Sequence, residues 1–195
     1  MRPAPAILVL AAGASSRMGG RDKLLEEIDG TPLILRAVRA ACAASDEVLV
    51  ALPAADRSRR AWLGDSPATL LDVEDRAMSA SIRAGVAACR AEALLIHLAD
   101  MPEITAADLS AMADAWTRSD CAIMRATSED GRPGQPVIFD RRHFPELMTL
   151  RGDLGARALL REHPVAQIPL PGRRALIDLD TPDAWTEWRA RRDVN

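Results

Sequence analysis

Basic side chains follow a short apolar run near the start of the 195-residue chain. Residues 7–12 are apolar, residues 13–16 are small, and Arg17, Arg21 and Lys23 come next. Small residues let backbone N–H groups approach an anion closely, and Arg and Lys can neutralise charge that grows on leaving phosphates. The segment therefore predicts a triphosphate-binding loop, with a plain turn carrying solvated charges as the alternative. Its spacing is neither that of Walker A nor that of the dinucleotide-binding GxGxxG.

Acidic side chains at two distant points are the candidates for holding a metal ion. Asp100 follows an apolar run, and a lone carboxylate at the carboxyl end of a strand can bind Mg²⁺ while phosphate oxygens fill other positions. Asp178 and Asp180 project to one side of an extended segment, because side chains alternate there. Each site has an alternative: Asp100 could cap the following helix, although Thr105 is better placed, and Asp180 could cap the last helix.

Apolar runs alternate with helical patterns along the whole chain. Predicted strands are 7–12, 47–52, 69–71, 93–98, 120–126, 136–139, 165–168 and 175–177. Predicted helices are 31–44, with Thr31 as cap and Pro32 at the first position, then 54–63, 78–90, 105–116, short pieces in 143–160 broken at Gly152, and 181–192. This alternation predicts one α/β domain with a largely parallel sheet. Ligands of such sheets bind beyond the carboxyl ends of strands, which singles out the loops after Ala12 and Leu98.

Bulk composition indicates an ordinary globular protein. Hydrophobic residues make up 48% and charged residues 27%. The net charge of −3 argues against a nucleic-acid partner, and no apolar stretch approaches the ~20 residues of a membrane span. With no signal-peptide pattern, we expect a cytoplasmic protein. The widely spaced cysteines are expected to be buried free thiols: Cys42, Cys89 and Cys121.

Histidines and tryptophans are interpreted as structural. His97 lies inside an apolar run and is expected to be a core histidine with its hydrogen bonds satisfied, whereas His143 and His163 are expected to be exposed. The four tryptophans fall at helical packing positions: Trp62, Trp116, Trp185 and Trp188. No spacing typical of a Ser-His-Asp hydrolase is present.

Three motifs resemble those of the molybdenum cofactor nucleotidyltransferases, the MobA-like NTP transferases. The segment 10–25 resembles the opening motif LAAGxSxRMGxxK, with one extra residue before Lys23, and 98–102 resembles LADMP. Residues 178–182 resemble the closing DxDTPED element. The resemblance spans residues 7–182 and implies a three-layer α/β/α, Rossmann-like fold of the nucleotide-diphospho-sugar transferase type. It is closest to the cytidylyltransferase branch, because the guanylyltransferase branch more often carries glycine where Ala12 stands.

The resemblance implies Mg²⁺-dependent transfer of CMP from CTP to the phosphate of a molybdopterin-type pterin, with release of pyrophosphate. It assigns catalysis to Arg17, Lys23 and Asp100, and the metal to Asp100 and Asp180. The implied nucleotide-binding residues are Leu10, Ala11, Ala12, Gly13, Ala14, Ser15, Ser16, Arg17, Lys23, Ser79, Ser81 and Asp100. The alternatives are GTP or another NTP as donor, a sugar or alditol phosphate as acceptor, or a catalytically silent protein that delivers the cofactor to a molybdoenzyme.

Other segments resemble the family with departures. Ser79 and Ser81 lie in an element usually written GMSxS, with Ala77 in place of glycine, and would either bind nucleotide or cap a helix. Gln135 replaces histidine in a GHPVxF-like segment. Asp153, in a GDxGAR-like segment, would be a base contact or a helix cap. With Asp178, these last two are expected on the acceptor side, so residues 6–125 would bind nucleotide and metal and 126–180 the acceptor.

Overall fold

The computed structural model describes residues 1–192, without the side chain of Leu154, and places a seven-stranded sheet between two helical layers. The strands are β1 (Ala6–Leu10), β2 (Glu27–Ile28), β3 (Thr31–Pro32), β4 (Val48–Pro53), β5 (Thr69–Val73), β6 (Ala93–Leu98), β7 (Ile123–Thr127), β8 (Pro133–Asp140) and β9 (Ala166–Pro169). The helices are α1 (Leu33–Ala44), α2 (Arg57–Leu63), α3 (Met78–Ala88), α4 (Ala106–Thr117), α5 (Phe144–Met148), α6 (Leu159–Glu162) and α7 (Pro182–Arg192).

The sheet is mostly parallel, as predicted. Its order is β5-β4-β1-β6-β8-β7-β9, while β2 and β3 form a separate ribbon. Among the sheet strands of residues 1–192, only β8 runs antiparallel to its neighbours β6 and β7. The chain moves outward from β1 through β4 and β5 on one side, and β6 lies on the other side. The carboxyl ends of β1 and β6 are level, since Leu10 pairs with Leu98. A ligand crevice is expected at this topological switch point.

The central strands are buried on both faces, which explains their continuous apolar runs. In β1, Ile7 belongs to the core under one helical layer and Leu8 to the core under the other. The first core also contains Val38 of α1, and the second contains Ile82 of α3 and Leu147 of α5. The predicted three-layer α/β/α architecture is therefore confirmed.

Two local predictions about secondary structure are wrong. Thr31 does not cap α1, because Thr31 and Pro32 pair with β2 and the helix begins at Leu33 without a side-chain cap. The strand predicted at 175–177 is instead a 3₁₀ turn at Arg174–Leu176, which is closed by a 2.9 Å bond from the Leu176 N–H to the Arg173 carbonyl. A local hydrogen bond thus replaces the sheet pairing that the apolar residues suggested.

Several single-residue expectations also change. His97 is fully buried, but neither ring nitrogen has a hydrogen-bond partner within residues 1–192, so it is not satisfied. His143 is buried and His163 is half-buried, although both were expected to be exposed, and both pair with Glu146 of α5. The cysteines are free as expected, although only Cys89 is fully buried. Trp62 is exposed while the other tryptophans are buried. The helices of the described chain all fall short of the length and apolarity that a membrane span needs.

Candidate active site

A cleft of about 610 Å³ opens beyond the carboxyl ends of β1 and β6, within the range of small-molecule sites. It is lined by most residues that the sequence singled out: Leu10, Ala12, Gly13, Ala14, Ser15, Ser16, Arg17, Lys23, Ser81, Asp100, Asp153, Asp178 and Asp180. Segments more than 150 residues apart thus meet at one site.

Three residues that the resemblance assigned to the site lie away from this cleft. Ala11 is buried, and its carbonyl accepts a 2.6 Å hydrogen bond from Arg59. Ser79 is buried in the first turn of α3, and neither Ser79 nor Ser81 is the N-cap, since that position is Ala77. Gln135 lines an adjoining cavity.

Four charged side chains form a cluster at the cleft. The Lys23 ammonium donates hydrogen bonds to both Asp100 and Asp180, and Arg17 binds the other oxygen of Asp180 at 2.7 Å. The side chains of Lys23 and Asp100 are only 12% and 14% exposed. Burial raises the pKa of Asp100 despite Lys23. Burial alone would lower the pKa of Lys23, but its two carboxylate partners outweigh this and raise it. The lysine is therefore held as a cation.

Backbone hydrogen bonds bring these distant segments together. The Ala99 N–H donates to the Leu10 carbonyl at 3.2 Å, and the Leu179 N–H donates to the Asp100 carbonyl at 3.0 Å. The second bond fixes the closing segment against the end of β6. The two capping alternatives are excluded, because Thr105 caps α4 in a capping box and the Thr181 hydroxyl accepts from the Ala184 N–H at the start of α7.

A buried ion pair, which sequence reasoning missed, supports the basic loop. Arg59 is 3% exposed and binds both oxygens of Asp22, at 2.7 and 2.9 Å, and the Gly13 carbonyl at 3.0 Å. Asp22 in turn accepts from Ser15. Burial raises the pKa of Asp22, but the bond and charge of Arg59 outweigh it and hold that pKa below its ordinary value. The only sign of this ion pair in the sequence was Asp22 itself, a single acidic residue within a basic loop.

The basic residues around the cleft differ from those predicted. Arg21 does not line it and instead pairs with Glu26 at 3.1 Å on the surface. Arg76 and Arg157 do line it. Arg157 lies in the GDxGAR-like segment, whereas nothing in the sequence distinguished Arg76. The cleft therefore receives cations from three parts of the chain.

The acidic residues fit a hard divalent cation. Asp100 Oδ1 is buried and has no hydrogen-bond partner among the described residues, although its other oxygen binds Lys23. Asp178 and Asp180 line the same cleft. Carboxylate oxygens are the ligands that Mg²⁺ prefers. An unpaired buried carboxylate oxygen is costly, so its presence beside two further carboxylates is an arrangement that a cation would stabilise.

A second cavity, of about 240 Å³, adjoins the cleft. Gln135 lines it, and its side-chain oxygen is buried without a partner within residues 1–192. Arg125 and Arg157 also line it; burial lowers the pKa of Arg125, and the nearby charge of Arg157 adds to this effect. Asp153 accepts from the Met78 N–H at 3.2 Å, so it caps α3 across 75 residues of sequence. The two cavities share Asp153, Arg157 and Asp178.

Solved structures share this architecture. Rv0371c from Mycobacterium tuberculosis H37Rv is 30% identical, with a TM-score of 0.83, and the match covers 94% of this chain and 97% of that one. A structure of the same protein described as a complex with manganese gives a TM-score of 0.80 at 29% identity, over 95% and 97% of the two chains.

Curated proteins point the same way. A "probable molybdenum cofactor guanylyltransferase" from Synechococcus elongatus is 30% identical over 95% of this chain and 96% of its own length. Together with the fold and the charged cleft, these likenesses define the class of protein: it is a nucleotidyltransferase. More particularly, residues 7–168 match the MobA-like NTP transferase domain, and the chain belongs to that family.

Proposed function

We propose that this protein transfers a nucleoside monophosphate from an NTP to the phosphate of a molybdopterin-type cofactor and releases pyrophosphate. The proposal rests on one observation. A basic loop and two carboxylates, those of Asp100 and Asp180, line the same cleft, and one oxygen of Asp100 has no hydrogen-bond partner among the described residues. The acceptor phosphate attacks the α-phosphate in line. No protein nucleophile is needed, so the residues act through positioning and charge neutralisation.

In this proposal the basic residues bind the triphosphate. Residues 12–16 supply backbone N–H groups to phosphate oxygens. Lys23 and Arg17 neutralise the negative charge that develops on the α-phosphate and on departing pyrophosphate. The buried Asp22–Arg59 pair keeps the loop in place for this role, because Arg59 binds two of its carbonyls and Asp22 binds its backbone at Leu24.

Asp100 and Asp180 are the proposed ligands of Mg²⁺, with Asp178 beside them. When bound, the ion supplies charge neutralisation for the phosphates. The unpaired oxygen of Asp100 supports this assignment. Lys23 neutralises both carboxylates here, and with Mg²⁺ on those carboxylates its ammonium would be available to phosphate oxygens.

The smaller cavity is the proposed acceptor site, which gives residues 126–180 the acceptor-side role and residues 6–125 the nucleotide role. Arg125 and Arg157 provide positive charge for an anionic acceptor. The buried oxygen of Gln135 is available to an N–H donor such as those of a pterin ring. Because Asp178 and Arg157 line both cavities, an acceptor phosphate here adjoins the nucleotide.

Two observations bear on the donor base. GTP is favoured by the full-length relative named as a guanylyltransferase. CTP is favoured by Ala12, which stands where the guanylyltransferase branch more often has glycine. We place GTP first because its support extends over 95% of the chain, whereas CTP rests on one position.

Pyrophosphate release tests the proposal. The full chain is incubated with Mg²⁺, a molybdopterin acceptor and each of the four NTPs in turn. We expect turnover with GTP or CTP, and a loss of roughly 10²–10³-fold in kcat in Lys23→Met and Asp100→Asn, because each removes a group that stabilises developing charge. Arg21→Met is the matched control, since it removes a cation from the same loop but outside the cleft. Absence of pyrophosphate with every NTP, or normal turnover in Lys23→Met, contradicts the proposal.

A further inference from the structure

We propose a second metal site, for Zn²⁺ or a similar borderline cation, formed by His143, Glu146 and His163. One nitrogen from each imidazole and one carboxylate oxygen all lie within 4.8 Å of one another. His143 Nδ1 is 2.9 Å from Glu146 Oε1, and His163 Nε2 is 2.8 Å from Glu146 Oε2. Both imidazoles therefore converge on one carboxylate.

Local structure brings the three side chains together. His143 ends the 3₁₀ turn Arg141–His143, and Glu146 lies three residues later in α5, a spacing that places two side chains on one helical face. His163 is the C-cap residue of α6. The two imidazole rings meet edge to face, with centroids 4.5 Å apart.

This cluster lies at the opposite end of the sheet from the cleft. His143 lies just after Asp140, the residue that pairs with Ala93 at the start of β6. Asp100, in contrast, follows the end of β6. Seven residues of extended chain separate these two points by roughly 20 Å. The histidine cluster therefore shares no side chain with the carboxylates proposed to bind Mg²⁺.

The donor set selects the kind of cation. Two imidazole nitrogens and one carboxylate oxygen suit Zn²⁺ and its first-row neighbours, whereas Mg²⁺ prefers oxygen ligands alone. His143 is 7% exposed, but the His163 and Glu146 side chains are 30% and 40% exposed, so an ion can enter from solvent.

A bound ion would fasten α5 to the end of α6. Phe144 and Leu147 of α5 and Leu159 of α6 belong to the same core as Ile82 of α3. The ion would thus join two short elements that pack in the layer of α3. Its first effect is on the stability of the folded chain, because a ligand that binds only the folded state stabilises it.

Thermal unfolding of the metal-free full chain tests this site. We expect Zn²⁺ to raise the Tm by more than the same concentration of Mg²⁺ does, and Co²⁺ to give the visible absorption of a tetrahedral complex with nitrogen ligands. His163→Gln and Glu146→Gln should each weaken Zn²⁺ binding by at least about tenfold, since losing even a supporting residue of a metal site costs this much. Asp100→Asn is the matched control and should keep both signals.

Three results would rule out the proposed zinc site. The site is refuted if wild-type protein shows neither the Zn²⁺-dependent rise in Tm nor the Co²⁺ spectrum. It is also refuted if the histidine-cluster variants keep wild-type affinity, or if Asp100→Asn loses both signals, because the ion would then lie in the cleft. The Co²⁺ spectrum of the wild type serves if a variant does not fold.

Discussion

Lys23 and Arg21 stand two residues apart in the same loop, yet they face different surroundings. Lys23 is nearly buried between two carboxylates, whereas Arg21 pairs with Glu26 at the surface. A charge that is withdrawn from water acts strongly on its neighbours, while an exposed one is screened by solvent. At the scale of single residues, burial therefore distinguishes Lys23 from Arg21 and supports the catalytic role proposed for Lys23.

His97 is buried in β6 without a hydrogen-bond partner in the described part of the chain, and this predicts a pH-dependent stability. Burial lowers its pKa from 6.5 to about 4. Between these values the unfolded chain binds a proton that the folded chain does not, so the free energy of unfolding falls as the pH drops from about 6.5 to about 4. The total loss is roughly 3 kcal/mol, and His97→Leu should remove it.

Denaturant unfolding of wild type and His97→Leu at pH 7.5 and pH 5 measures this difference. At pH 7.5 the variant should be at least as stable, because no hydrogen bond is lost with the imidazole. At pH 5 the free energy of unfolding of His97→Leu should exceed that of wild type by more than it does at pH 7.5. An equal acid-induced loss in both proteins would show that other groups cause the pH dependence.

At the scale of elements, Gly134 in β8 allows the 3₁₀ turn Arg174–Leu176 to pass closely over the sheet. A Cβ at this position would lie 2.0 Å from the Ala175 carbonyl oxygen. Backbone cannot move aside as a side chain can. We expect Gly134→Ala to lower the free energy of unfolding by about 1–3 kcal/mol, as measured by urea denaturation, and to disturb the smaller cavity that this turn lines.

Gly64→Ala is the matched control. Gly64 follows α2 with an ordinary αR backbone, and its nearest neighbour beyond the adjoining residues would be 4.0 Å from an added Cβ. Its stability should stay within about 0.5 kcal/mol of wild type. If Gly134→Ala is equally harmless, the turn over β8 is more adaptable than its packing indicates.

Elements with a strong local signal were predictable from the sequence. The run 93–98 forms β6 with the predicted bounds, and Thr105 caps α4 as expected. The loops that line the cleft were predictable because they follow strands and carry recognisable motifs. The ion pair between Asp22 and Arg59 was not predictable, because a long-range contact leaves no periodic pattern. The turn at 174–176 was missed because residues 175–177 are all apolar, as in a buried strand, while the hydrogen bond at Leu176 stays local.

At the scale of the whole molecule, the proposed active site depends on contact between the end of the described chain and its beginning. Asp178 and Asp180 lie directly before α7, which packs into the core that also contains Ile7 of β1 and so helps the backbone bond at Leu179 to hold them at the cleft. Its anchors are Trp185 and Trp188, each 3% exposed, with ring centroids 6.2 Å apart. The Trp188 indole N–H also donates to Glu103, near the end of β6, at 2.9 Å.

Trp188→Ala should therefore weaken both the fold and the site. We expect the free energy of unfolding to fall by about 3–5 kcal/mol, because a large buried side chain leaves a cavity. That is a large share of the roughly 5–15 kcal/mol of a typical domain. Variant protein that remains folded should also show a smaller rise in Tm with Mg²⁺ and GTP, since α7 holds Asp180 in place.

Trp62→Ala, which removes a side chain from a residue that is 47% exposed, is the matched control and should change the free energy of unfolding by no more than about 0.5 kcal/mol. A rise in Tm with Mg²⁺ and GTP as large in folded Trp188→Ala as in wild type would mean that α7 is not what holds the closing segment at the cleft.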